Sequence, residues 1–162
     1  MTTMTEAAAA AGTAADRRWL ELAVDLSRLS PPSPAHYAVG AVVTGADGGL
    51  LATGYTGETH PAYHAEEAAL AKLAGRPGAT TLYTSLEPCT TRRSRPHPCA
   101  GLILAAGLRR VVLALREPSL FADCHGVETL RAAGVEVVEI GELAQAVRDV
   151  NAHLLGRFAG GR

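Results

Sequence analysis

From residue 16 to residue 29 the apolar positions Trp19, Leu22, Ala23, Leu26 and Leu29 recur at helical spacing, with Arg17, Glu21, Asp25 and Arg28 turned away from them. That pattern predicts an amphipathic helix over 16–29. Ser30-Pro31-Pro32-Ser33-Pro34 ends it and forces an extended connector. Two apolar, β-branched runs, 38–44 and 50–55, flank Gly45-Ala46-Asp47-Gly48-Gly49 and predict a hairpin. An Ala/Leu/Glu-rich helix follows over 64–74 and stops before Gly75, then a strand over 80–85. After an arginine-rich loop between Pro88 and Pro98 come a buried helix over 99–106 and a continuous apolar strand over 110–115. Such a strand is expected when both faces of a sheet are covered. A helix over 126–133, a strand over 135–140 and a closing helix over 142–155 complete the order α-β-β-α-β-α-β-α-β-α. The prediction is a three-layer α/β sandwich on a mixed sheet, with one hairpin followed by helical crossovers.

Composition narrows this to one compact domain. The chain has 162 residues, 48% of them apolar and 19% charged, enough to bury a core without a second domain. Residues 1–15 form an Ala-rich tail without the basic start of a secretory signal. Residues 16–156 are the expected domain and 157–162 a short tail. A formal net charge of −1 lacks the broad basic footprint of a duplex-binding protein, so polymeric nucleic acid is not the expected partner. The longest apolar run, 99–108, is too short to span a bilayer. Three cysteines form no even disulfide framework, and the expected compartment is the reducing cytoplasm.

Two of those cysteines carry the chemistry. His64-Ala65-Glu66 opens one predicted helix, Ser85-Leu86-Glu87-Pro88-Cys89 ends the strand after it, and Pro98-Cys99 opens the next helix. One imidazole and two thiols make three protein ligands. A structural zinc site closes its tetrahedron with four, whereas a catalytic site keeps a position for water. Thiols near helix starts are favoured as thiolates by exposed N–H groups and the helix dipole. Glu66, two residues from His64, cannot share its helical face and is placed to handle protons instead. Taken singly, a lone histidine or cysteine is ordinary core, and a glutamate in a first turn serves the helix dipole. The joint arrangement on successive elements points to one catalytic Zn2+ per chain on His64, Cys89 and Cys99, with Glu66 as acid and base.

These residues resemble the zinc-dependent cytidine/deoxycytidylate deaminase superfamily, whose signature pairs His-x-Glu with a later Pro-Cys-x-x-Cys. Nine residues separate the cysteines here, which looks like the deaminase domain of the bifunctional riboflavin-biosynthesis deaminase/reductase. The resemblance runs from about Trp19 to Leu154 and includes Val39-Gly40-Ala41-Val42 and Ala106-Gly107-Leu108-Arg109-Arg110-Val111-Val112. It implies a cytidine-deaminase-type fold with a five-stranded mixed sheet, backbone groups of Ala65 and Ser85 that orient the substrate ring, and a homodimer or homotetramer. Four departures fall on the substrate side. The family's Pro-Asn-Pro is Ala35-His36-Tyr37, its Asp-Pro-Asn-Pro is Glu117-Pro118-Ser119-Leu120, a histidine after the second strand is replaced near Thr56 and Gly57, and the chain stops at Arg162 with no room for a reductase.

The expected activity is hydrolytic deamination of an amino-substituted pyrimidine base, nucleoside or nucleotide. Arg92, Arg93 and Arg95, lying between two zinc ligands, are candidate binders of an anionic substrate group, with a solvated charge run as the alternative. His36 is a candidate substrate contact. Cys124 is expected as a free or half-buried thiol, Asp123 and His125 as residues of the rim, and His60 and His153 as surface groups. The alternatives are a specialised nucleoside or guanidine-type substrate, or a non-catalytic module closed around a fourth zinc ligand at Cys124 or His125.

Overall fold

The computed structural model describes residues 12–90, 97–118 and 124–159. The elements are α1 (Ala14–Ser27), β1 (Gly40–Gly45), β2 (Leu50–Tyr55), α2 (Ala65–Leu73), β3 (Ala79–Leu86), α3 (Cys99–Ala105), β4 (Arg110–Leu115), α4 (Gly126–Ala132), β5 (Glu136–Glu139), a 3-10 turn (Gly141–Leu143), α5 (Ala144–Val150) and α6 (Ala152–Ala159). The sheet runs β2-β1-β3-β4-β5, antiparallel at β1–β2 and β1–β3 and parallel at β3–β4 and β4–β5. Helices α1 and α5 pack on one face, and α2, α3 and α4 cover the other. The expected five-stranded three-layer sandwich is what forms. Among the described residues no helix is long and apolar enough to cross a membrane.

Three differences from the sequence reading have physical causes. The stripe that α1 buries is Asp16, Leu20, Ala23, Val24 and Ser27, rotated slightly from the one predicted: Ala23 is in both, Trp19, Leu22 and Leu26 pack half-buried against the core at its edge, and Leu29 stands 60% exposed beyond the helix end. The rotation follows from Asp16, which is drawn inward by Arg110 and Tyr83. Next, β1 starts at Gly40, two residues late. The N–H groups of Ala38, Val39 and Gly40 bond to Asn151 Oδ1 (2.8 Å), Thr56 Oγ1 (3.0 Å) and Ser85 Oγ (3.1 Å), so side chains hold the approach to the strand. Lastly, the closing helix is two helices. Asn151 interrupts it because its buried amide also donates to Ala38 O and Val147 O, both at 3.1 Å.

Helix α2 sits where it does because β2 lets it approach. A Cβ on Gly54 would lie 2.4 Å from the carbonyl oxygen of Ala65, inside the first turn of α2. Only glycine admits that contact, and it seats the helix start beside the C-terminal end of β3.

Candidate metal centre

His64 is the N-cap of α2, in extended backbone conformation (φ −72°, ψ 162°), while Glu66 is inside the first turn. The cap geometry splits two residues that are neighbours in sequence. Cys99 is the first residue of α3, but Cys89 lies in the loop after β3, not at a helix start. It reaches the start of α3 through its sulfur, which accepts the Cys99 N–H at 3.2 Å, and through its carbonyl, which accepts Ala100 N–H at 3.0 Å. His64 Nδ1 stands 3.6 Å from Cys89 Sγ and 3.4 Å from Cys99 Sγ, and the three donor atoms lie within 4.8 Å of one another.

The Cys99 thiol beside it, helped by His64 and the Cys99 N–H, brings the Cys89 thiol down to about 4 against the opposing effect of burial. A sulfur held as thiolate is a ready metal ligand. Soft sulfur and imidazole donors in a group of three fit zinc with one position left for water.

Glu66 lies beside this group and is buried, 4% exposed. Burial pushes its carboxyl up from the ordinary range, the nearby His64 pulls it down, and the Cys89 sulfur pushes it up again. Its Oε1 is 2.8 Å from Thr84 Oγ1 on β3. A carboxyl group that resists ionisation beside a metal-ligand cluster suits proton transfer near neutral pH.

A second carboxylate braces the Cys89 loop. Glu87, 4% exposed, accepts Glu117 N–H through Oε1 (3.0 Å) and Val127 N–H through Oε2 (2.8 Å). At Gly126 a Cβ would lie 2.1 Å from Pro88 O, so glycine lets α4 close against that loop. The Cys124 thiol donates to Pro88 O at 3.2 Å, and His125 N–H to Thr90 Oγ1 at 3.2 Å. Cys124, pushed far up by burial, is therefore a neutral donor to the loop. Neither it nor His125 belongs to the group of convergent metal-ligand atoms found among the described residues. Burial also raises Glu117, to about 7, against the lowering effect of a hydrogen bond from Cys124.

The structure thus brings His64, Glu66, Cys89 and Cys99 together. Ala65 lies between two of them, fully buried. The Ser85 hydroxyl faces Gly40, on the side of α1, so only its backbone remains for the role expected of it. His36 is exposed on the connector, whose next residue, Tyr37, donates its hydroxyl to Pro118 O at 3.2 Å. Arg92, Arg93, Arg95 and Asp123 lie outside the described residues. His153, expected as a surface group, is half-buried and bonds through Nε2 to Ser33 O at 3.1 Å. Exposed His60 accepts Ala62 N–H. Thr84 carried no signal in the sequence, since a threonine in a strand is ordinary. Glu87 could have been found only by asking what a buried acid in Leu-Glu-Pro-Cys would pair with.

An imidazole, two thiols and a buried carboxyl gathered where β3 and two helix starts meet define a metal-centred α/β protein. Residues 13–115 match the model of the cytidine and deoxycytidylate deaminase zinc-binding region, and the chain belongs to that family. Among its relatives, the riboflavin biosynthesis protein RibD of Aquifex aeolicus is 36% identical over 140 residues, spanning 84% of this chain and 37% of that protein. The diaminohydroxyphosphoribosylamino-pyrimidine deaminase of Schizosaccharomyces pombe is 34% identical over 122 residues, spanning 72% of this chain and 30% of that protein. The chain therefore spans about a third of the length of these relatives. The Aspergillus oryzae Rib2 deaminase, solved in complex with DARIPP, has the same fold: TM-score 0.77, 24% identity, 90% of this chain and 95% of that one covered.

Proposed function

We propose that this chain hydrolytically deaminates a phosphoribosylated aminopyrimidine of the riboflavin pathway, releasing ammonia. The observation that carries the reaction is the convergence of His64 Nδ1, Cys89 Sγ and Cys99 Sγ within 4.8 Å, with buried Glu66 beside them. The substrate class is supported by the relatives named for riboflavin biosynthesis and for diaminohydroxyphosphoribosylamino-pyrimidine deamination.

His64, Cys89 and Cys99 hold one Zn2+, which when bound supplies a Lewis acid that acidifies water to a pKa of about 7. Glu66 removes a proton from the attacking water and delivers it to the ring nitrogen next to the amine-bearing carbon. It then takes the proton of the newly added hydroxyl, leaving a carbonyl, and carries it to the departing amine. Oxygen is bonded to the carbon, the carbon–nitrogen bond breaks, and ammonia leaves. Burial of Glu66 raises its proton affinity above that of an ordinary carboxylate, the direction that suits a group which must both take and give protons. Backbone groups of Ala65 and Ser85 orient the ring, His36 contacts the substrate from the connector, and Arg92, Arg93 and Arg95 meet its phosphate.

The test is ammonia release by the zinc-loaded chain from the diaminohydroxyphosphoribosylaminopyrimidine, cytidine, dCMP and guanidines. Release from the first is expected, with kcat lowered about 10²- to 10⁴-fold in Glu66→Gln at unchanged zinc content. Full zinc loading without release from any of these compounds rejects the reaction. Release from cytidine or dCMP alone rejects the substrate.

A further inference from the structure

We propose that Thr84 is the positioning residue of Glu66, holding the carboxyl group that transfers protons in the reading above, on which this inference rests. The observation is a hydroxyl in the wall of the site that the reaction as described does not use. Thr84 is fully buried in β3, and its Oγ1 lies 2.8 Å from Glu66 Oε1 and 3.0 Å from Leu86 O. A hydroxyl has one proton to donate, so these two acceptors share it. Backbone and side chain both restrict where it can point. The strand fixes the Cα, the β-branched side chain has few rotamers, and the Leu86 carbonyl lies close to the same oxygen.

Glu66 has the opposite character. It is a long, flexible side chain on the first turn of a short helix, with three torsions to settle. Among the described residues, Thr84 is the side chain shown bonded to it. Oε1 is thereby engaged by the sheet, and proton exchange falls to Oε2. Leu86, whose carbonyl also accepts the Thr84 hydroxyl, is the last residue of β3 and lies three residues before Cys89 in the loop that follows. The end of β3 therefore holds the proton carrier through Thr84 and leads directly into the loop that carries Cys89. Tyr83 and Ser85, the neighbours of Thr84, point to the other face of the sheet, where the Tyr83 hydroxyl donates to Asp16 of α1 and the Ser85 hydroxyl accepts the Gly40 N–H of β1, so no adjacent hydroxyl can replace it.

The test compares Thr84→Val, which keeps shape and removes the hydroxyl, with Thr84→Ser, which keeps the hydroxyl. Thr84→Val is expected to lower kcat about 10- to 100-fold with KM within about twofold and one zinc per chain, because misplacement of a reacting group by an ångström costs on that order. Thr84→Ser is expected to recover most of that loss. An unchanged kcat in Thr84→Val, or an equal loss in Thr84→Ser, overturns the proposal. Should Thr84→Val not fold, Thr84→Ala takes its place with the same two readings. Crystal structures of zinc-loaded wild type and variant decide the point without turnover: a Glu66 carboxyl group that swings away from β3 in the variant supports the proposal, and one that stays put overturns it. A wild type that releases no ammonia would reject the proposed reaction and leave this structural comparison standing.

Discussion

The two ends of the parallel strands both carry buried polar clusters, and the clusters differ in what their groups point at. At the N-terminal end of β4, Arg110 makes two 2.6 Å bonds to the two oxygens of Asp16. The Tyr83 hydroxyl donates to Asp16 Oδ1 at 3.0 Å, and Thr13 N–H to Oδ2 at 2.9 Å. Positive and negative groups face each other there, so the cluster is complete. At the other end, His64, Cys89 and Cys99 point donor atoms of the same kind at one another, an arrangement that a cation between them would complete. Paired charges tie α1 to the sheet; converging donors make a site for chemistry. The contrast predicts that damage at one end should be read in stability and at the other in zinc and turnover.

The sharpest separation comes from Cys99→Ala. It is expected to take bound zinc from one per chain to none at micromolar metal and to abolish ammonia release, measured by elemental analysis and ammonia assay. Far-ultraviolet dichroism should stay close to wild type, since Asp16–Arg110 is untouched. A variant that keeps its zinc would break the comparison.

Asp16→Asn is the reverse experiment. It leaves Arg110 facing a neutral partner and is expected to cost about 3 kcal/mol of unfolding free energy in urea titrations, with zinc stoichiometry unchanged. The pH dependence follows with a definite sign. Burial raises Asp16, but the Arg110, Thr13 and Tyr83 bonds outweigh it and bring the carboxyl from 3.8 to about 2. Its folded value is below its unfolded one, so its contribution of roughly 2 kcal/mol is fully present above about pH 4 and is lost as pH falls towards 2. The variant should show a flatter acid limb. An equal slope in both proteins would remove Asp16 from the account.

Thr13→Ala tests the edge of the same cluster. The Thr13 hydroxyl accepts Asp16 N–H at 3.1 Å and completes a capping box with Asp16. Its loss should cost about 1 kcal/mol and leave turnover unaltered. A measurable change in kcat would show that the two ends are coupled.

Much of the site was legible because its signals are local. His64-Ala65-Glu66 and the two Pro-Cys pairs each sit at a boundary between predicted elements, where a side chain's residue type and position already limit its role. The periodicity of 16–29 located a helix and residues that meet the core, but not the inclusion of Asp16 in the buried stripe, because hydropathy cannot register an aspartate that is buried by its partner 94 residues away. The closing helix failed in the same way: nothing near Asn151 announces that its amide completes Ala38, 113 residues earlier. Nothing in the sequence announces that the hydroxyls of Thr56 and Ser85 accept the N–H groups of Val39 and Gly40.

Sequence alone singled out His64, Cys89 and Cys99 as a group of three that can bind a metal, set Glu66 apart from them, and determined the alternation of helices and strands. Those follow from side-chain chemistry, spacing and local periodicity. Tertiary structure decided what aims and braces them: Thr84 on Glu66 across 18 residues, Glu87 on Glu117 across 30, and the close approaches at Gly54 and Gly126 that seat α2 and α4. Hydrogen bonds and steric fits of that kind join residues distant in the chain, and they acquire partners only when the sheet has brought its strand ends together.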